Sequence, residues 1–144
     1  MKKILIFLIF ALFSALSAQA YDFKSGDLYY NITGNNTAEV TYEDFTNFYT
    51  FSSVTIPDIV THNGITYHVT GIGMYALVNC LNLTSVSFSN SILSIGDNAF
   101  AGCKNLSYIA FGDSITSIGN AAFSNCAALT SFTIPNSVTN IGSQ

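Results

Sequence analysis

The chain has 144 residues, with four Lys and Arg against eight Asp and Glu, a formal net charge of −4 and only 8% charged residues. So acidic and cation-poor a chain lacks the basic patches that nucleic acid and anionic membrane require, and neither is expected as a partner. Residues 1–20 open with Lys2 and Lys3, continue through the apolar run ILIFLIFALF and end in Ala18-Gln19-Ala20. These are the charged, apolar and A-x-A regions of an export signal. The apolar run is short for a membrane span of about 20 residues, so cleavage after Ala20 is expected, with no membrane insertion afterwards. Residues 21–144 then amount to one domain, with Lys24 and Lys104 as its only cations.

Residues 21–68 do not repeat. Asp27–Ile32 and Ala38–Tyr42 alternate in polarity around Thr33-Gly34-Asn35-Asn36-Thr37, the pattern of a hairpin. Phe51–Pro57 imitates the later strand that ends in Ile134-Pro135, and Asn63-Gly64 between IVTH and ITYHV signals a second hairpin. This region is expected to form a β cap over the first of the coils that follow. His62 and His68 flank the Asn63-Gly64 turn and are candidates to face each other. With only Asp58 nearby as a third ligand, surface histidines are favoured over a metal site.

From Val69 the chain says the same thing three times, over 69–91, 92–114 and 115–137, and begins again at 138–144. The period is 23 residues, which means stacked coils that cannot bury their apolar faces alone. Ile72, Ile95, Ile118 and Ile141 each precede a glycine, expected to allow a backbone turn. Ala76, Ala99 and Ala122 precede Leu77, Phe100 and Phe123, which suggests one short helical turn. Cys80, Cys103 and Cys126 share one inward position, and a core ladder of thiols is favoured over disulfides or zinc. LTSVSF, LSYIAF and LTSFTI end in apolar residues two apart, as strands paired in parallel about 4.8 Å apart require.

The pattern I-G-x-x-A-F-x-x-C-x-x-L-T, followed by an I-P strand end, resembles the BspA-like leucine-rich repeat of secreted and surface proteins of Bacteroidota and some mucosal protists. Residues 115–137 carry it almost throughout, 92–114 nearly so, and 69–91 with Leu77 in the Phe position; the proline occurs only as Pro135. The resemblance implies a mainly β, right-handed leucine-rich-repeat solenoid with short helical turns, preceded by the β-hairpin N-terminal cap. It implies no catalytic residue, cofactor or metal.

Ile141-Gly142-Ser143-Gln144 stops within a motif, and a truncated sequence is expected; if the end is genuine, self-association through the uncapped coil is expected instead. No nucleophile elbow, phosphate loop or catalytic carboxylate pair is visible. The sheet face is the expected interaction surface, through Ser85, Ser87, Tyr108, Ala110, Ser131 and Thr133. The expected function is a secreted or cell-surface protein that adheres to a protein or glycan ligand on host or microbial surfaces. The alternatives are a structural spacer presenting a domain beyond Gln144, and an enzyme with its chemistry in the cap or beyond the sequence.

Overall fold

The structure is a computed structural model that describes residues 20–44 and 48–143; apart from Ala20, the export signal lies outside the described residues. Eleven strands are described: β1 (Phe23–Ser25), β2 (Leu28–Gly34), β3 (Thr37–Thr41), β4 (Ser53–Ile56), β5 (Ile59–His62), β6 (Ile65–Ile72), β7 (Ser85–Phe88), β8 (Ser94–Ile95), β9 (Tyr108–Ala110), β10 (Ser117–Ile118) and β11 (Asn140–Ile141). They form two sheets, one ordered β1-β2-β3-β6-β8-β10-β11 with β5 also on β6, the other ordered β4-β7-β9.

Both sheets come from the repeat. Each coil lays one strand beside its predecessor's at Ile72↔Ile95, Ile95↔Ile118 and Ile118↔Ile141, and another at Val86↔Ile109, all in parallel. The strand before the glycine is a second ladder that sequence alone does not reveal, because two residues carry no alternation.

The expected helical turn between these strands is not there; no helix occurs among the described residues. Left-handed residues recur every fourth position, at Tyr75 and Asn79, Asn98 and Gly102, Ala121 and Asn125. A right-handed helix needs negative φ throughout, so these residues break it into successive turns. Ala76 N–H donates to Gly73 C=O (3.2 Å) and Val78 N–H to Tyr75 C=O (3.1 Å). The alternate donors leave the coil: Tyr75, Leu77 and Asn79 N–H reach the Asp97, Ala99 and Ala101 carbonyls at 2.7–3.1 Å. The arm thus exchanges an intrahelical ladder for one running between coils, and its backbone is satisfied either way.

The repeated glycine also acts otherwise than expected. None of Gly73, Gly96, Gly119 and Gly142 has positive φ. A Cβ at Gly96 would instead meet Met74 N at 2.7 Å, and one at Gly119 would meet Asp97 N at 2.5 Å. The residue is glycine because the preceding coil's backbone passes there, and Gly96 N–H donates to Ile72 C=O at 2.7 Å across that contact.

Inside the coils, Leu77, Phe100, Leu83, Leu106, Val86 and Cys80 are fully buried. The phenyl rings form a zigzag: Phe88–Phe111 at 5.7 Å, Phe100–Phe123 at 5.3 Å and Phe111–Phe132 at 5.7 Å. Burial fades in the third coil, where Phe132 is 39% and Ile134 42% exposed. Contrary to expectation, its segment LTSFTI forms no described strand. Ser107 N–H reaches Thr84 C=O, but one coil later Thr130 N–H turns to Ala128 C=O (3.1 Å) within its own coil, and the ladder breaks.

The non-repeating region contributes to both sheets. β2 pairs antiparallel with β3 and with β1, and β5 with β6 around Asn63 and Gly64, both at positive φ as a tight hairpin of this kind requires. β3 then pairs in parallel with β6 and β4 with β7. Val40↔Ile72 and Ser53↔Ser85 are both 32 positions apart, against 23 for Ile72↔Ile95. Val40–Thr41 and Ser53–Ile56 therefore hold the two strand places of a degenerate coil, and the β5–β6 hairpin absorbs the nine extra residues.

A Gly119→Ala protein should lose roughly 1–3 kcal/mol, because the added methyl must displace the Asp97 backbone. Urea unfolding measures this. An unchanged midpoint would show that the coils separate freely at this contact.

Candidate interaction surface

The outward row follows from the pleat: with Val86 and Ile109 buried, their neighbours point out. Ser85 pairs with Tyr108 and Ser87 with Ala110 across β7 and β9. Ser85, Ser87 and Ala110 are half-buried, whereas Tyr108 is 60% exposed. Ser131 and Thr133 are exposed but lie on the segment that has left the ladder. Ser131 and Thr133 line the far wall of a cleft of about 590 Å³, and Ser107 and Tyr108 its near wall, with Phe111, Asp113 and Pro135 also lining it. The six expected residues thus form a flat patch of four, then a crevice.

Many of the small polar side chains are not free to bind a ligand, because they bracket one coil to the next. Asn82 Nδ2 donates to Thr50 C=O at 3.2 Å, and Asn105 Nδ2 to Leu81 C=O at 2.7 Å. Thr84 Oγ1 donates to Ser52 C=O at 2.9 Å, and Thr116 Oγ1 to Leu93 C=O at 3.1 Å. Asp97 Oδ1 accepts the Asn120 N–H at 2.6 Å, and Asn120 Oδ1 accepts that of Ser143 at 3.0 Å.

The cysteines are buried free thiols. The Cys103 thiol donates to Leu77 C=O at 3.0 Å and Cys126 to Phe100 C=O at 3.2 Å, so each is a small apolar side chain with one weak donor for the coil behind it. Burial pushes Cys126 up to about 12; the Cys80 thiol beside it, then burial, push Cys103 well above the ordinary range. Such thiols are poor nucleophiles and poor metal ligands.

The two histidines are not brought together. His62 pairs with Ile65 and His68 with Ile59, at opposite ends of the hairpin. The His62 ring stacks on Phe23 at 4.5 Å and its Nε2 meets Asn63 Nδ2 at 2.9 Å. Among the described residues no three His, Cys, Asp or Glu side chains form a metal-binding group, and no helix is long and apolar enough to cross a membrane.

Two further features escaped sequence reasoning. Tyr49 is half-buried, its hydroxyl donating to Thr41 C=O at 2.7 Å and accepting from Tyr29 N–H at 2.9 Å, so it staples the degenerate coil to β2. Lys24 lies 4.8 Å from the Tyr29 ring centre. At the far end of the stack an apolar hollow of about 260 Å³ is lined by Ile118, Phe123, Cys126, Leu129, Phe132, Ile134 and Ile141.

Residues 70–144 match the family described as the BspA type leucine rich repeat region (6 copies). A leucine-rich repeat protein from Bacteroides ovatus is 34% identical with a TM-score of 0.74, over 85% of this chain and 32% of its own. One from Bacteroides capillosus is 34% identical with a TM-score of 0.74, over 83% of this chain and 86% of its own. A leucine rich cell surface protein from Faecalibacterium prausnitzii is 34% identical with a TM-score of 0.72, over 88% of this chain and 33% of its own. The chain therefore spans about a third of the Bacteroides ovatus and Faecalibacterium prausnitzii proteins. No curated protein matches it.

The buried thiol and phenol predict how stability responds to alkali. Cys126 rises from 9.0 and Tyr30 from 10.0, each to about 12 through burial. Both stay neutral in the fold while the unfolded chain ionises. The urea midpoint should hold below about pH 9 and fall as pH rises through 9–12, the window those values set. A midpoint rising across that window would contradict the burial of these groups.

Proposed function

The chain belongs to the BspA-type leucine-rich-repeat family, and from that premise we propose that it is an exported, non-catalytic module that adheres to a protein or glycan on host or microbial surfaces. The observation that carries this reading is the exposed Tyr108 on a flat face of otherwise short side chains. Ser85, Ser87 and Ala110 surround it, Ser131 and Thr133 face it across the cleft, and tyrosine is a residue on which interface energy concentrates. The family likeness and the cell surface description of the Faecalibacterium prausnitzii relative support export to the surface. In this reading residues 1–20 are the export signal, and β1–β3 with the β5–β6 hairpin cap the stack.

A spacer role is the second reading, favoured by how much of the polar surface is committed to bonds between coils.

Saturable binding of the folded chain to cultured epithelial or bacterial cells should weaken about tenfold in Tyr108→Ala. No saturable binding to either cell type would sink the adhesion reading. Binding indifferent to Tyr108, Ser87 and Thr133 alike would favour the spacer.

A further inference from the structure

The β4–β7–β9 sheet has two edges, and they differ. The outer side of β9 faces the chain's own segment 130–134 across the cleft described above. Among the described residues β4 pairs with β7 alone, so the N–H and C=O groups that alternate residues turn to its other side meet no described strand. That side is not open surface. The β1–β2 turn, Ser25–Leu28, stands opposite β4 and Pro57 across a groove of about 500 Å³. Buried Leu28, Tyr30 and Val60, with half-buried Phe51, supply the apolar part of its lining.

Edge strands are ordinarily blunted by charge, proline, a bulge or a covering element. Ser53-Val54-Thr55-Ile56 has no charge, and its register with β7 runs without a bulge. The proline comes only after the strand, at Pro57. What β4 presents outward is the same frame by which each later coil joins the one before it, here bordered by an apolar lining.

We infer that this groove takes an extended segment of a partner protein as an added strand on β4. The inference rests on the adhesion reading above and names the chemistry of the partner. Main-chain amides complete the β4 ladder, as in other strand additions, and alternate side chains fill the space beside Leu28, Phe51 and Val60. Asp27 in the wall and the chain's excess of carboxylates select an uncharged or basic segment over an acidic one. A glycan has no ladder of amides to offer.

The probe is a displayed library of random seven-residue peptides, panned against the whole chain, with amide hydrogen exchange as the readout. Enriched peptides should slow exchange at Ser53–Ile56 at least tenfold. They should lose binding when N-methylated at alternate residues of one parity and keep it when methylated at the other. A Ser25→Trp protein, its groove narrowed from the opposite wall, should lose the same protection. No enrichment, tolerance of N-methylation at every residue, or protection elsewhere would overturn the inference. So would protection of Ser53–Ile56 by maltoheptaose with none by peptides. Peptide protection alongside cell binding that Tyr108→Ala leaves unchanged would fail the Tyr108 face alone; cell binding without peptide protection would fail the groove alone.

Discussion

A methyl group at position 96 would stand 2.7 Å from the backbone nitrogen of Met74, and one at position 142 would stand 2.5 Å from that of Asn120. Contacts so short leave the coils one separation, that of hydrogen-bonded strands, and the rest of the molecule adapts to it. At that spacing Gly96 N–H reaches Ile72 C=O, Leu77 N–H reaches Ala99 C=O, and the phenyl rings of successive coils stack below 6 Å. The hydrophobic side chains decide that a coil needs neighbours, and the glycine decides how near they come. Polar brackets such as Asn105 to Leu81 then help hold the register, since a slip of one residue would carry the donor away from its carbonyl.

The same spacing explains how a non-repeating region joins a repeating one. Val40 C=O accepts the Gly73 N–H at 2.8 Å, as Ile72 C=O accepts that of Gly96, so β3 occupies the place of an earlier coil although its sequence has lost the motif. The side chains match as well, with Val40 buried opposite Ile72. The other sheet does the same, with Ile56 buried opposite Phe88.

Much of this was legible in the sequence, and the misses share a cause. The 23-residue period, the inward column Leu83, Leu106 and Leu129, the cysteine column and the Asn63-Gly64 hairpin are signals carried by single residues at fixed spacing. The strands β8, β10 and β11 are invisible locally because two residues become a strand only through a partner 23 positions away. Ala-Phe suggested a helical turn because helix propensity is local, whereas the left-handed Tyr75 and Ala121 are imposed by the neighbouring coil. Asn79, Gly102 and Asn125 carried a signal that the helical-turn reading passed over, since asparagine and glycine accept that conformation most easily. Of the outward row, the alternation of LTSVSF placed Ser85 and Ser87 on one face with Tyr108. It could not reveal that Thr130 turns back on its own coil and opens a cleft before Ser131.

The direction of the ladders has a mechanical side. Hydrogen bonds between coils lie along the stack, so a pull through the two ends loads the bonds of one junction at a time rather than many in shear. The structure should yield by peeling, each released coil paying out 23 residues, about 80 Å of extended chain. A tether built this way lengthens under a tug in even steps, and coils not yet peeled keep their faces intact.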